Sequence, residues 1–188
     1  MDDVTLHVCS GGVAIPTHTY MRKQVLVTND ELLCGTVLNS WKLVLGRADQ
    51  SFMSLTDEQF QQPVAPGKNR LLYLLGHLTV VHDRMFPLLR LGTRKYPELD
   101  EYYLEHSDRA LPDPLSVPVL KIRWTEVNSE LTSALGQLTP TEWLGRHQDI
   151  SDEDFAKDPG RNRLAVVMAR TNHLSFHLGQ MALAKRAG

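Results

Sequence analysis

Two histidines near the end of the chain, His173 and His177, lie four residues apart in an otherwise apolar stretch. On a helix, side chains at this spacing share one face, roughly 5–6 Å apart at Cβ. Two such imidazoles can bind one metal ion, and a third protein ligand would leave an open coordination position for chemistry. The alternative interpretation is a pair of packed core histidines with ordinary hydrogen-bond partners.

His77 is the best candidate for the third ligand, because it lies in an apolar stretch that predicts a buried helix face. His82 comes about 140° further around the same helix and is followed by Asp83 and Arg84, so we expect it on the polar face. If the two helices are antiparallel, His77 lies roughly 12 Å from one end and the pair roughly 14–20 Å from it. The three imidazoles can therefore meet at one level, although a packed core histidine remains the alternative for each.

The remaining candidate groups are interpreted more simply. Carboxylates such as Asp83, Glu126 and Glu130 are expected to be solvated, so no general base is assigned. Cys34 lies between apolar neighbours and is interpreted as a small buried hydrophobic residue rather than a catalytic thiol. The three tryptophans are interpreted as core anchors: Trp41, Trp124 and Trp143.

Helical periodicity predicts the elements that must position these residues. Four long segments carry apolar residues every three or four positions: 28–53, 69–91, 116–138 and 161–186. Thr28 and Glu31 form a capping-box pattern at the first start, and Pro87 is expected to loosen the last turn of the second helix. The link over residues 92–115 is long enough for a crossover, so the sequence predicts an all-α four-helix bundle with up-down-down-up order.

Composition excludes several classes of function. A net charge of -2 leaves no basic surface for nucleic acid, and no apolar run approaches the roughly 18 residues of a membrane span. Two cysteines in 188 residues do not make a disulfide framework, and the acidic start is unlike a signal peptide, so a cytoplasmic location is expected. Residues 1–24 are expected to form an arm or small hairpin, and residues 25–188 the bundle domain.

These residues carry a family resemblance. His77 is followed fifteen residues later by Gly92, and the last helix ends in His173-x-x-x-His177-x-Gly179-Gln180. Together with the helix order and loop lengths, this pattern resembles the DinB-like superfamily, which includes the YfiT-type proteins and thiol-dependent transferases. The resemblance spans roughly residues 25 to 187, and residues 1 to 24 depart from it.

The resemblance implies a four-helix bundle, often a homodimer, with a divalent metal (zinc, nickel or iron) held by His77, His173 and His177. Gln180 matches the family's glutamine and is expected to support a ligand rather than to bind the metal. Characterised relatives use low-molecular-weight thiols such as bacillithiol, mycothiol or glutathione.

An open metal position can hold a thiol as thiolate or lower the pKa of bound water. The expected function is therefore a metal-dependent enzyme acting on a small molecule, most simply a thiol S-transferase. The alternatives are a metal-dependent hydrolase and a non-catalytic metal- or ligand-binding dimeric bundle.

Overall fold

The computed structural model describes residues 27–184, and every regular element within that range is helical. This confirms the predicted all-α class. Eight α-helices occur among the described residues: α1 (Asn29–Met53), α2 (Asp57–Phe60), α3 (Leu71–Asp83), α4 (Met85–Leu88), α5 (Val117–Gln137), α6 (Pro140–Leu144), α7 (Asp152–Lys157) and α8 (Arg163–Ala184). A 3₁₀ turn at Pro97–Leu99 and a π-helix at Glu101–Glu105 lie between α4 and α5.

The predicted start of the first helix is confirmed. The Thr28 side chain accepts a hydrogen bond from the backbone N–H of Glu31, and the Glu31 carboxylate accepts one from the backbone N–H of Thr28. This reciprocal pair satisfies two backbone donors that would otherwise lack partners at the helix start. α1 then continues for 25 residues, as its apolar spacing predicted.

The second predicted helix, residues 69–91, is not continuous: it breaks after Asp83 and is followed by the short helix α4, so the expected loosening near Pro87 is confirmed and the predicted length is wrong. The cause is Pro87, which has no backbone N–H to donate to the carbonyl of Asp83 four residues earlier. Arg84 adopts the tighter backbone of a final turn, with φ -65° and ψ -17°. The chain therefore turns earlier than the apolar pattern suggests.

The core lies between the four long helices. α1 packs mainly against α8 and also contacts α5, whereas α3 packs against α5 and contacts α8. The indole N–H of Trp41 donates to Thr132 and that of Trp124 donates to Asp49, so α1 and α5 pair in opposite directions. All three tryptophans are buried, which confirms their interpretation as core anchors.

The connection between α4 and α5 packs tightly onto α3. Gly76 allows this approach, because a Cβ atom at that position would lie only 2.3 Å from the ring of Tyr103 in the π-helix. The guanidinium of Arg70, at the start of α3, binds the carboxylates of Asp108 and Asp113 and fixes the other end of the connection. This segment is therefore a structural part of the fold rather than a loose linker.

Two structural predictions stay open, and one is tested only for the residues that the structure describes. The N-terminal arm at residues 1–24 lies outside the described residues, so the proposed domain boundary stays a prediction. The up-down-down-up order of the four long helices also stays a prediction. Within residues 27–184, none of the helices has the length and apolarity needed to cross a bilayer.

Candidate metal centre

The structure brings His77, His173 and His177 together. The Nε2 atom of His173 lies 3.4 Å from that of His77 and 3.1 Å from that of His177. His77 comes from α3, and the other two lie one turn apart on α8. The three residues form a group whose ligand atoms all lie within 4.8 Å of one another, and each is half-buried.

Two of the three rings are oriented by hydrogen bonds at their other nitrogen. The Nδ1–H of His77 donates to the backbone carbonyl of Tyr103 at 3.1 Å, and the Nδ1–H of His177 donates to the Gln180 side-chain oxygen at 2.8 Å. A neutral imidazole that donates through Nδ1 presents a lone pair at Nε2. His77 and His177 therefore both direct lone pairs into the cluster.

The environment keeps all three rings neutral near pH 7. Burial lowers the pKa of His77 and of His177, and it lowers the pKa of His173 to about 4. The neighbouring histidines add to the decrease at His173, and the charge of Arg170 lowers the pKa of both His77 and His173. Neutral imidazole is the form that binds a metal, so these decreases favour ligation.

These residues fit a divalent metal. Metal–nitrogen bonds of about 2.0–2.1 Å in tetrahedral geometry place neighbouring nitrogens about 3.3 Å apart, close to the two shortest separations here. Without a cation, lone pairs of His77 and His177 would converge on His173, whose Nδ1 is buried without a partner among the described residues. A metal resolves this convergence, because it accepts all three lone pairs.

Gln180 contacts His177 in the position expected for a supporting residue, and this contact gives a testable prediction. Gln180→Ala removes the acceptor that orients His177, so metal affinity should fall about 10–100-fold while saturating metal still fills the site. Gln180→Glu retains an acceptor oxygen and serves as the matched control. Competition with a chelating dye measures both affinities, and equal affinities for the alanine variant and wild type would contradict a supporting role.

The expectation that His82 lies on the polar face is wrong. Its side chain is fully buried, with ring centroids 4.9 Å from Trp41 and 5.2 Å from Trp124, and its Nδ1 lies 2.6 Å from the Asn128 side-chain oxygen. His82 is not a member of the histidine cluster. Its polar sequence neighbours misled the prediction, since the burying partners come from α1 and α5.

Asp83 is also buried, contrary to the expectation that it is solvated. Its carboxylate accepts hydrogen bonds from the Arg94 guanidinium and from the backbone N–H groups of Lys95 and Tyr96. Because these bonds use both oxygens, Asp83 anchors the chain after α4. Among the described residues no carboxylate joins the histidine cluster.

Burial of His82 predicts that the protein loses stability in acid. Burial lowers its pKa to about 3, whereas an unfolded histidine has a pKa of about 6.5. Between these values the unfolded state binds a proton that the folded state excludes. The free energy of unfolding should therefore fall as the pH drops from about 6.5 towards 3, by up to roughly 1.4 kcal/mol per pH unit.

The control for this prediction is the double variant His82→Leu/Asn128→Leu, which removes both hydrogen-bond partners together. Urea unfolding of chelator-treated protein at several pH values should show a shallower pH dependence in the double variant than in wild type. Parallel pH dependences would contradict the assignment to His82, since the other histidines are common to both proteins.

Sequence reasoning missed two residues beside the cluster. The Tyr103 carbonyl, which orients His77, belongs to a π-helix that has no periodic signal in the sequence. The clearest clue was Gly76 directly before His77, because glycine within an apolar helix indicates close approach of another chain segment. Arg170 lies one turn before His173 on α8, where its i,i+3 spacing could have drawn attention.

The geometry defines an all-helical protein with a three-histidine cluster between two long helices. The model of the DinB superfamily matches residues 41–181, about three quarters of the chain, and the chain belongs to this superfamily. The matched range includes the three histidines and Gln180. No curated protein matches the chain.

Proposed function

We propose that the protein is a metal-dependent enzyme that transfers a low-molecular-weight thiol to a small electrophile. The observation that carries the proposal is the convergence of three Nε2 atoms, two of them on rings fixed through Nδ1. His77, His173 and His177 would hold the metal, which we infer to be zinc, nickel or iron. Gln180 and the Tyr103 carbonyl would orient two of these ligands.

We also infer that the four long helices form an up-down-down-up bundle. Arg70 contacts Asp113 before α5 and His82 contacts Asn128 within it, a pairing that supports a parallel α3 and α5. Arg84 and Arg170 line one cavity, while His77 meets His173, so α3 and α8 pair in opposite order. The opposite order of α1 and α5 completes the pattern.

The surroundings of the cluster favour thiol transfer over hydrolysis. A metal bound there supplies Lewis-acid chemistry, which lowers the pKa of a thiol or water placed in its open position. Hydrolysis usually also needs a positioned general base, and the described residues place no carboxylate in the cluster. In S-transfer the thiol would lose its proton to water, its sulfur would form a bond to the electrophilic carbon, and the leaving group would depart from that carbon with the bonding electrons.

A conjugation assay tests this proposal. Purified protein with one equivalent of zinc, nickel or iron is incubated with a fluorogenic haloalkyl bimane and, separately, bacillithiol, mycothiol or glutathione. We expect adduct formation with at least one thiol at a rate above that without protein, and this excess rate should depend on the metal and be lost in His77→Ala. Retained metal without any adduct would contradict the transferase proposal, and turnover of an ester or amide panel would then favour the hydrolase.

We further infer a homodimer, supported by large apolar side chains that remain more than half exposed on the neighbouring helices α1 and α8: Leu43, Phe176 and Leu183. Leu43→Glu should shift the protein towards monomer in sedimentation velocity. Ile122→Glu, at a similarly exposed position on α5, is the control and should leave the mass unchanged. Identical masses for the Leu43 variant and wild type would contradict this interface.

A further inference from the structure

A polar cavity of about 430 Å³ lies beside Arg170, two turns into α8. Its lining combines the break between α3 and α4, the chain after α4 and the loop before α7. The lining side chains include three arginines, Arg84, Arg94 and Arg170, together with Gln148 and the carboxylate of Asp149. The volume is within the range of pockets that hold small molecules.

The three arginines differ in their partners. Arg94 is nearly buried and is bound by Asp83 and Asp100, so its charge is satisfied within the protein. Arg84 lies 3.3 Å from the same Asp100, but more than half of its side chain is exposed. Arg170 is half-buried, and among the described residues no carboxylate forms an ion pair with it.

An unpaired guanidinium in a partly buried position is costly, because burial removes water without supplying a counter-charge. Burial lowers the pKa of Arg170, and the nearby charge of Arg84 lowers it further. Gln148 accepts a hydrogen bond from Arg90 through its side-chain oxygen, which leaves its amide N–H groups free to donate. The cavity therefore offers uncompensated donors from two elements.

Arg170 lies on the same helix as two of the three clustered histidines. Arg170 and His173 are separated by one helical turn on α8, so their side chains lie on neighbouring positions of one face. The Arg170 charge acts on both His77 and His173. A molecule bound to Arg170 would therefore lie about one helical turn from His173, while the three histidines themselves do not line the cavity.

We propose that this cavity binds the carboxylate or phosphate group of a small molecule, with Arg170 as its main anchor and Arg84 and Gln148 as further donors. A planar guanidinium pairs with either oxyanion through two parallel hydrogen bonds. Asp149 is the one acid on the lining, and it sets the orientation because an oxyanion must bind away from it. That this molecule is the substrate rests on the proposed function, whereas anion binding itself does not.

Calorimetric titration at constant ionic strength tests the proposal, with inorganic phosphate and succinate as separate probes. Chelator-treated and metal-supplemented protein are both titrated. We expect millimolar or tighter binding of at least one probe in both forms, and the comparison of probes tells which oxyanion is preferred. Arg170→Gln should weaken this binding about tenfold, and Arg170→Lys should weaken it less, since lysine retains the charge but not the paired donors.

The matched control is Arg47→Gln, an exposed arginine on α1, which should bind as wild type. Arg170→Gln should melt at the same temperature as wild type or higher, since it removes an unpaired charge. Equal anion binding by Arg170→Gln and wild type would overturn the proposal. Binding seen only with metal, and lost in His173→Ala but not in Arg170→Gln, would also overturn it and assign the anion to the metal. If the protein binds no metal but binds the anion at Arg170, the anion-site proposal is supported and only the proposed metal-dependent enzyme is contradicted.

Discussion

Replacing His173 with alanine is expected to reduce bound metal from about one equivalent to less than a tenth. His173 is the central member of the cluster, since its Nε2 lies within 3.4 Å of both other Nε2 atoms. Its loss leaves two histidines from different helices and opens the site to water. Affinity should fall more than about 100-fold, beyond the usual effect of losing a supporting group. Elemental analysis of untagged protein purified without chelator measures the stoichiometry.

The control for this variant is His106→Ala. His106 is exposed and follows the π-helix, and its ring donates a hydrogen bond to the Glu101 carbonyl. The His106→Ala protein should retain the metal content of wild type. This result would show that metal is not lost merely because the protein has one histidine fewer. His173→Ala should also remain folded, because the ring is half-buried and its Nδ1 has no partner to lose. Equal metal content in His173→Ala and wild type would contradict the proposed centre.

Gly76→Ala is expected to damage both stability and metal binding without altering any ligand. The added methyl group would lie 2.3–2.6 Å from three ring carbons of Tyr103, far inside normal contact distance. Tyr103 is itself buried, so the π-helix must shift away from α3. Overpacking of this kind costs about 1–3 kcal/mol or more. The shift would also separate the Tyr103 carbonyl from His77, which lowers metal affinity.

Gly179→Ala is the matched control, since it adds the same methyl group on α8 beside Gln180. Apart from its chain neighbours and the adjacent backbone of α8, no atom of the described residues lies within 4 Å of that methyl position, and alanine is favoured over glycine in a helix by about 1 kcal/mol. This variant should be as stable as wild type or more stable, with unchanged metal affinity. Chemical denaturation and dye competition provide the two measurements. A Gly76→Ala protein with wild-type values in both would show that the π-helix does not orient His77.

The sequence predicts the helices and the side chains that share a helix face, but it predicts few contacts between residues that are distant in the chain. The i,i+4 spacing of His173 and His177 and the apolar neighbours of His77 were sufficient to name the cluster, because helical periodicity fixes which side chains share a face. The burial of His82 was missed because its partner, Asn128, lies 46 positions away. Asp83 was misjudged for a different reason, since its partners lie only 11 to 13 positions away but in an irregular segment that no periodic pattern marks. The π-helix was missed because no periodic pattern marks it.

The α4–α5 connection has a practical consequence for anyone modifying this protein. Its length and prolines make it look like a permissive site for an inserted tag or a new chain terminus. The structure indicates the reverse, because Arg70 holds one part of it and Tyr103 packs on Gly76 and orients His77. An insertion there would displace the Tyr103 carbonyl and so disturb the orientation of His77 in the histidine cluster. The exposed turn around Lys68, which carries none of these contacts, is the better place to graft a label or reporter.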